Sequence, residues 1–164
     1  MKVVVLLAAL CVTSLAYSCD SGPRRLLEQA DGLANTANPD SATKAIDLYS
    51  SFIAQYPDRE EIPRVLRTRA RLTQQLGDMT TALALYEGLL VEYPECRYAA
   101  EAQFMVGYIY EEHVRDLDRA RTAYQKVIDH YPDSELALSA RHLIPHVGRT
   151  AEEWVEFQEG VTTQ

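Results

Sequence analysis

Long apolar runs are scarce in this 164-residue chain. The stretch VVVLLAALCV, Val3 to Val12, is well short of the roughly 20 residues a membrane-spanning helix needs. Positive charge is also short. There are 16 lysines and arginines against 24 acids, for a net charge of -8. An acidic protein repels phosphate backbones, which excludes general nucleic-acid binding. Motifs of catalysis are missing too: the sequence holds no GxSxG, no P-loop and no dinucleotide fingerprint. His142 and His146 have the four-residue spacing of a helical metal pair, but Pro145 lies between them and no acid occupies the HExxH place. They read as a solvated or partly packed pair. His113 and His130 fall near expected helix ends, where a cation is favoured. No enzyme activity, cofactor or metal is therefore expected. Cysteine is rare as well, with three residues in the whole chain. What remains is ordinary for one globular domain large enough to bury a core, with one bias: ten tyrosines against three phenylalanines and one tryptophan.

The first residues read as a segment apart from the fold. Lys2 supplies a positive start, Val3–Val12 an apolar run, and small residues follow, which is the pattern of a secretory signal over 1–18. The run LAYSC, Leu15 to Cys19, resembles the lipobox of bacterial lipoproteins, in which the cysteine is lipidated and becomes the first mature residue. Ser18 fits that pattern. Leu15 stands one place further back than the family's preferred leucine, at the position before Ala16, and Tyr17 is bulky for its place. The resemblance implies a lipidated Cys19 held on a membrane by two or three acyl chains, each buried methylene contributing about 0.8 kcal/mol, and the polar composition that follows reads as a tether over 19–23. Ordinary cleavage at Ala16-Tyr17-Ser18, leaving a soluble periplasmic protein, stays open as the alternative. Removal of 1–18 takes Lys2 and no acid, so the mature charge becomes -9. Cys11 goes with the leader. A lipidated Cys19 leaves Cys96 without an intrachain partner, and a Cys19–Cys96 bridge remains the other option.

A repeat accounts for much of the tyrosine. Three segments align: ATKAIDLYSSFIAQYPD (42–58), TTALALYEGLLVEYPE (80–95) and DRARTAYQKVIDHYPD (118–133). Ala45, Ala82 and Ala120 are spaced by 37 and 38 residues, as are Tyr49, Tyr86 and Tyr124, and again Pro57, Pro94 and Pro132. Three features sharing one period indicate a stacked array of identical units. Within 80–95 the apolar residues recur at three- and four-residue steps, the mark of one helix face. Each proline ends its helix. A partner helix is expected before the second and third segments, over 60–76 and 97–113, with Ala70 and Gly107 as equivalent small residues. The turn VRDLDR, one residue longer than its counterpart, accounts for the interval of 38. Residues 24–33 read as a degenerate first helix, followed by a loop through Asn38-Pro39-Asp40.

Small residue, alanine, aromatic and closing proline on paired helices resemble the tetratricopeptide repeat family, most clearly in AQFMVGYIYEEHVRDLDRARTAYQKVIDHYPDS (102–134). The slightly long period and repeated Tyr-Pro-acid resemble its envelope members, BamD-like lipoproteins and Tol-Pal-associated YbgF-like proteins. The resemblance implies an all-α helical-hairpin solenoid of about three repeats over 24–146. It also implies a non-enzymatic adaptor facing the periplasm, at the outer membrane in preference to the inner, in outer-membrane protein assembly or envelope maintenance. A structural, self-oligomerising module is the alternative. Pro145 stands where Ala70 and Gly107 stood in earlier repeats and should cut a fourth pair short. Thr150 and Glu153 form a capping box opening a final helix with Trp154 and Phe157, read as a cap within 147–164.

In this family the first helix of each pair lines a concave groove. Laying that pattern on the sequence turns Arg64, Arg67, Arg71 and Gln74 inward from one repeat and Glu101, Phe104, Tyr108 and Glu111 from the next. The three arginines share one helix face. A basic stripe beside aromatics would clamp a carboxylate or an acidic helix of an envelope protein or peptide. The competing reading is a solvated charged face with Phe104 half in the core.

Overall fold

The computed structural model describes residues 21–149, so the expected leader, Cys19 and the capping box with Trp154 and Phe157 lie outside the described residues. Seven α-helices follow one another: α1 Ser21–Ala34, α2 Pro39–Gln55, α3 Ile62–Gln75, α4 Met79–Glu92, α5 Ala99–Ile109, α6 Leu117–His130 and α7 Glu135–Leu143. A π-helical turn, Tyr110–Val114, extends α5, and a 3-10 turn, Ile144–His146, extends α7. No strand occurs among the described residues. None of their helices is long and apolar enough to cross a membrane. The expected all-α helical-hairpin repeat is what forms, as the pairs α1/α2, α3/α4 and α5/α6.

Local chemistry sets the helix limits. Asn38 accepts hydrogen bonds from the backbone N–H of Asp40 at 2.8 Å and Ser41 at 3.4 Å, and Pro39 opens α2 at a position where its missing N–H costs nothing. Asp78 and Asp116 do the same for α4 and α6, accepting from Thr81 and Arg119 at 3.0 Å each. The hydrogen bond from the Thr81 backbone holds the Asp78 carboxyl below the usual range. Ser134 caps α7 through the Leu136 N–H. At the other end, Tyr56, Tyr93 and Tyr131 leave the helix with nearly the same backbone, φ between -130° and -137° and ψ between 53° and 58°. Each precedes a proline, whose ring excludes the helical conformation for the residue before it.

The described residues fall into two compact units, one ending at Arg59 and the other beginning at Glu60. In the first, α1 buries Leu27, Ala30 and Ala34, and α2 buries Ala42, Ala45, Tyr49 and Phe52. In the second, Ala70 of α3, Ala82, Tyr86 and Leu89 of α4, Ala102, Val106 and Ile109 of α5 and Ala123 of α6 form one apolar cluster. Ala120, Tyr124 and Val127 of α6 form another with Ala137 and Ala140 of α7 and Val147. The repeat alanines Ala45, Ala82 and Ala120 are fully buried and the repeat tyrosines Tyr49, Tyr86 and Tyr124 are each 1% exposed. They are the largest side chains in the core. Helix α7 stops at Leu143, two residues before Pro145, which leaves it nine residues long.

Three expectations need correction. The tether expected over 19–23 is helical from Ser21 onward, and Pro23 is buried in the first turn of α1, where proline is tolerated. The loop expected through Asn38-Pro39-Asp40 ends at Asn38, because the cap and Pro39 start the helix there. The extra residue of the third repeat sits just before the turn rather than in it. In α3 the Asp78 N–H bonds the Thr73 carbonyl, whereas in α5 the equivalent Asp116 N–H reaches Tyr110, one residue further back. The additional residue widens the helix into the π turn. Both turns then need one left-handed residue. Gly77 supplies it at φ 87°, but Arg115 adopts φ 62° with a full side chain.

These contacts set two stability predictions, read by urea unfolding. Gly107→Ala adds a Cβ 2.6 Å from the buried Tyr124 ring and lowers stability by about 1–3 kcal/mol, reversing the roughly 1 kcal/mol gain in helix propensity. Arg115→Gly relieves the left-handed strain and raises stability by about 0.5–1 kcal/mol.

Candidate functional site

Helix α3 carries Arg64, Arg67, Arg69 and Arg71 and no acid, within a chain of net charge -8. Val65, Thr68, Ala70, Leu72 and Thr73 face the core, which turns Arg64, Arg67 and Arg71 to half-buried positions on the other side. The second helix of the site, α5, buries Ala102, Gln103, Val106 and Ile109 and leaves Glu101, Phe104 and Tyr108 at its margin. One contact ties the two. Arg67 Nε donates to Glu101 Oε2 at 3.0 Å, with the side chains 29% and 35% exposed.

The α4–α5 connection completes the surface. The Arg67 guanidinium lies 5.5 Å from the centre of the Tyr98 ring, and that of Arg97 lies 4.7 Å from it, both within cation–π range. An open cleft of about 360 Å³ runs beside this ring, between Glu60, Glu61, Pro63 and Arg64 on one side and Cys96, Arg97 and Tyr98 on the other. Cys96 is half-buried and forms no disulfide among the described residues.

The eight residues expected in a groove divide accordingly. Arg64 lines the cleft, Arg71 is half-buried on the same helix, and Tyr108 is exposed, its ring edge-on to His113 at 5.7 Å. Arg67 and Glu101 compensate each other, so the basic stripe carries less net charge than its arginines suggest. The remaining three hold the fold. Gln74 Oε1 accepts from the Tyr86 hydroxyl at 3.2 Å. Glu111 accepts from the Tyr124 hydroxyl through Oε2 and from the Gly148 N–H through Oε1, each at 3.0 Å. Phe104 packs on Tyr124 at 5.2 Å between ring centres. A long polar side chain on the first helix of a pair thus meets the tyrosine of the second while staying half-buried. Sequence reading missed Arg97 and Tyr98, which occupy a connection rather than a periodic helix face. Their only local signal was an aromatic and a cation adjacent to each other just before α5.

The tyrosine contact recurs. In the first unit the Tyr49 hydroxyl donates to Asp31 at 2.5 Å, so every repeat tyrosine has a polar acceptor on its partner helix. A buried hydroxyl left without one would cost about 1–3 kcal/mol. Burial, helped by the Glu101 charge, pushes the Tyr86 hydroxyl up to about 12. Burial and the Glu111 carboxylate push that of Tyr124 up further.

Compared with models of protein families, residues 101–134 match the one described as tetratricopeptide repeat. Compared with curated proteins, the chain has no match.

A folded tyrosine that holds its proton above the unfolded value of about 10 supports stability below that pH, and the support is lost as pH rises through the folded value. Stability should therefore be level from pH 8 to pH 10 and fall as pH approaches 12. Tyr86→Phe should cost about 1 kcal/mol at neutral pH and flatten part of the alkaline loss. Urea midpoints measured across that range check both.

Proposed function

We infer that this tetratricopeptide-type repeat protein is a non-enzymatic adaptor, one that holds a partner polypeptide on the α3/α5 face and works at the bacterial cell envelope. Tetratricopeptide repeats generally mediate protein–protein interaction, and that broad role rests on the repeat itself. The observation that supports a defined docking face is the row of arginines on α3 meeting the Arg67–Tyr98–Arg97 cluster at the head of α5. Arg71 and Arg97 form no ion pair among the described residues, and Tyr98 and Tyr108 offer ring surface beside them. Guanidinium groups with aromatic neighbours suit a partner that brings carboxylates together with apolar side chains. Gln74, Phe104 and Glu111 are half-buried and engaged with Tyr86 and Tyr124, and they shape this face.

The envelope location rests on the leader-like start and the LAYSC run. Lipidation of Cys19 would hold the adaptor on a membrane and turn the repeat toward the periplasm, with the outer membrane preferred to the inner. Roles in outer-membrane protein assembly or envelope maintenance follow from the likeness to envelope repeat lipoproteins.

Two experiments test this function. Cys19→Ala should move the protein from the membrane fraction to the soluble fraction, and retention on the membrane would refute the anchor. Arg71→Glu combined with Arg97→Glu should abolish capture of partners from envelope extracts while leaving the helical circular dichroism unchanged. Undiminished capture would show that the docking face lies elsewhere.

A further inference from the structure

The open cleft between the head of α3 and the α4–α5 connection has a volume of about 360 Å³. Every residue that lines it belongs to the second unit. Small-molecule and cofactor pockets run from about 300 to 1,000 Å³, so this one has room for one large side chain and little more.

Its uncharged lining is flat. Pro63, Cys96 and Tyr98 are half-buried, and the Arg97 guanidinium lies 4.7 Å from the centre of the Tyr98 ring. A proline ring, a tyrosine ring, a planar guanidinium and a polarisable thiol all make good contact with a flat π system. A branched aliphatic side chain would meet them over a smaller area and gain nothing from the cation.

The charges left to a ligand are few and opposed. Glu61 and Arg64 already have contacts of their own, and Arg67 is held by Glu101. What remains is Glu60 on one wall and Arg97 on the other, both exposed and neither in an ion pair among the described residues. An occupant with acids on both sides of its ring would set one of them against Glu60. An occupant with an acid on one side and a base on the other would suit both walls.

We propose that this cleft is the anchor point of the docking face: it takes one aromatic side chain of the partner polypeptide, flanked by a carboxylate toward Arg97 and a cation toward Glu60. This rests on the docking reading above and deepens it by stating which partner chemistry the face selects. The ring fills the space beside Tyr98 and excludes water, the condition under which a single side chain dominates an interface. The opposed charges are exposed and add little affinity. They fix the direction in which the partner chain crosses the cleft and reject a uniformly acidic one.

Cys96 lines the cleft, so an occupant shields its thiol. The rate at which iodoacetamide modifies it, read on the Cys96 peptide by mass spectrometry, reports occupancy, and the backbone amide shifts of Arg97 and Tyr98 report it independently. The probes are tripeptides acetylated and amidated at their ends. Lys-Trp-Glu, or its reverse Glu-Trp-Lys, should protect Cys96 at concentrations on the order of 1 mM. Leucine in place of the tryptophan should raise the concentration needed about three- to tenfold. Glutamine in place of the glutamate, or glutamate in place of the lysine, should raise it roughly two- to fivefold each. The first of these charge penalties should vanish in Arg97→Gln and the second in Glu60→Gln, with the helical circular dichroism unchanged in both. No protection and no shift with any of these peptides overturns the proposal. So does equal binding of tryptophan and leucine peptides, or a charge preference that survives both substitutions. Capture from envelope extracts keeps this apart from the docking reading. If Arg71→Glu with Arg97→Glu abolishes capture while the peptides leave Cys96 unprotected, the face stands and the anchor falls. If the peptides protect Cys96 while that double variant captures partners undiminished, the cleft keeps its ligand and the docking reading falls.

Discussion

Two helices of a pair approach closely only where one offers a small side chain and the other fills the space, and tyrosine does the filling here. Gly107 leaves the Tyr124 ring no room for even one added carbon. Ala70 shares the core with Tyr86 in the preceding pair. A phenylalanine would fill the same volume. Tyrosine adds a hydroxyl that, once buried, must find an acceptor, and so the partner helix has to supply Asp31, Gln74 or Glu111. That requirement links ring packing to a polar contact at one register and makes each pair specific rather than merely compact.

The same requirement reshapes the outer surface. Gln74 and Glu111 lie on the helices expected to line a groove, at positions where a periodic reading turns them outward. Meeting Tyr86 and Tyr124 ties both back to the fold and leaves them half-buried. The third repeat solves the geometry with an additional residue. The π turn at Tyr110–Val114 spans Glu111, and this carboxylate reaches both the Tyr124 hydroxyl and the Gly148 N–H. One inserted residue thereby fastens the end of the described fold to its third helix pair, with the strain collected at Arg115.

The parts legible from sequence were those that repeat locally. Alanine, tyrosine and proline recur because each contributes to its own helix, and three copies of the spacing disclosed the pairs, the buried tyrosines and the short α7. Contacts between side chains distant in sequence left no such trace. Arg67 and Glu101 are 34 residues apart and belong to different repeats, so nothing marked them as a pair. Asp31 sits 18 residues from Tyr49, against 12 and 13 for the other acceptors, because the first connection differs in length. Tyr98 and Arg97 occupy a connection, where no period applies. The candidate face was thus half visible: its arginines could be aligned on one helix side, but which of them were already compensated depended on the fold.

That distinction decides what the face can recognise. A row of unopposed arginines would attract any polyanion, with little discrimination. With Arg67 held by Glu101 and drawn over Tyr98, the cations that form no ion pair among the described residues are separated: Arg97 at the cleft, Arg71 further along α3. Separated cations with ring surface between them favour acids spaced along a chain and interrupted by apolar side chains, since a uniform run of charge would leave the rings uncovered. Under the docking role proposed above, selectivity comes as much from the arginine held by Glu101 as from the cations left without an ion pair.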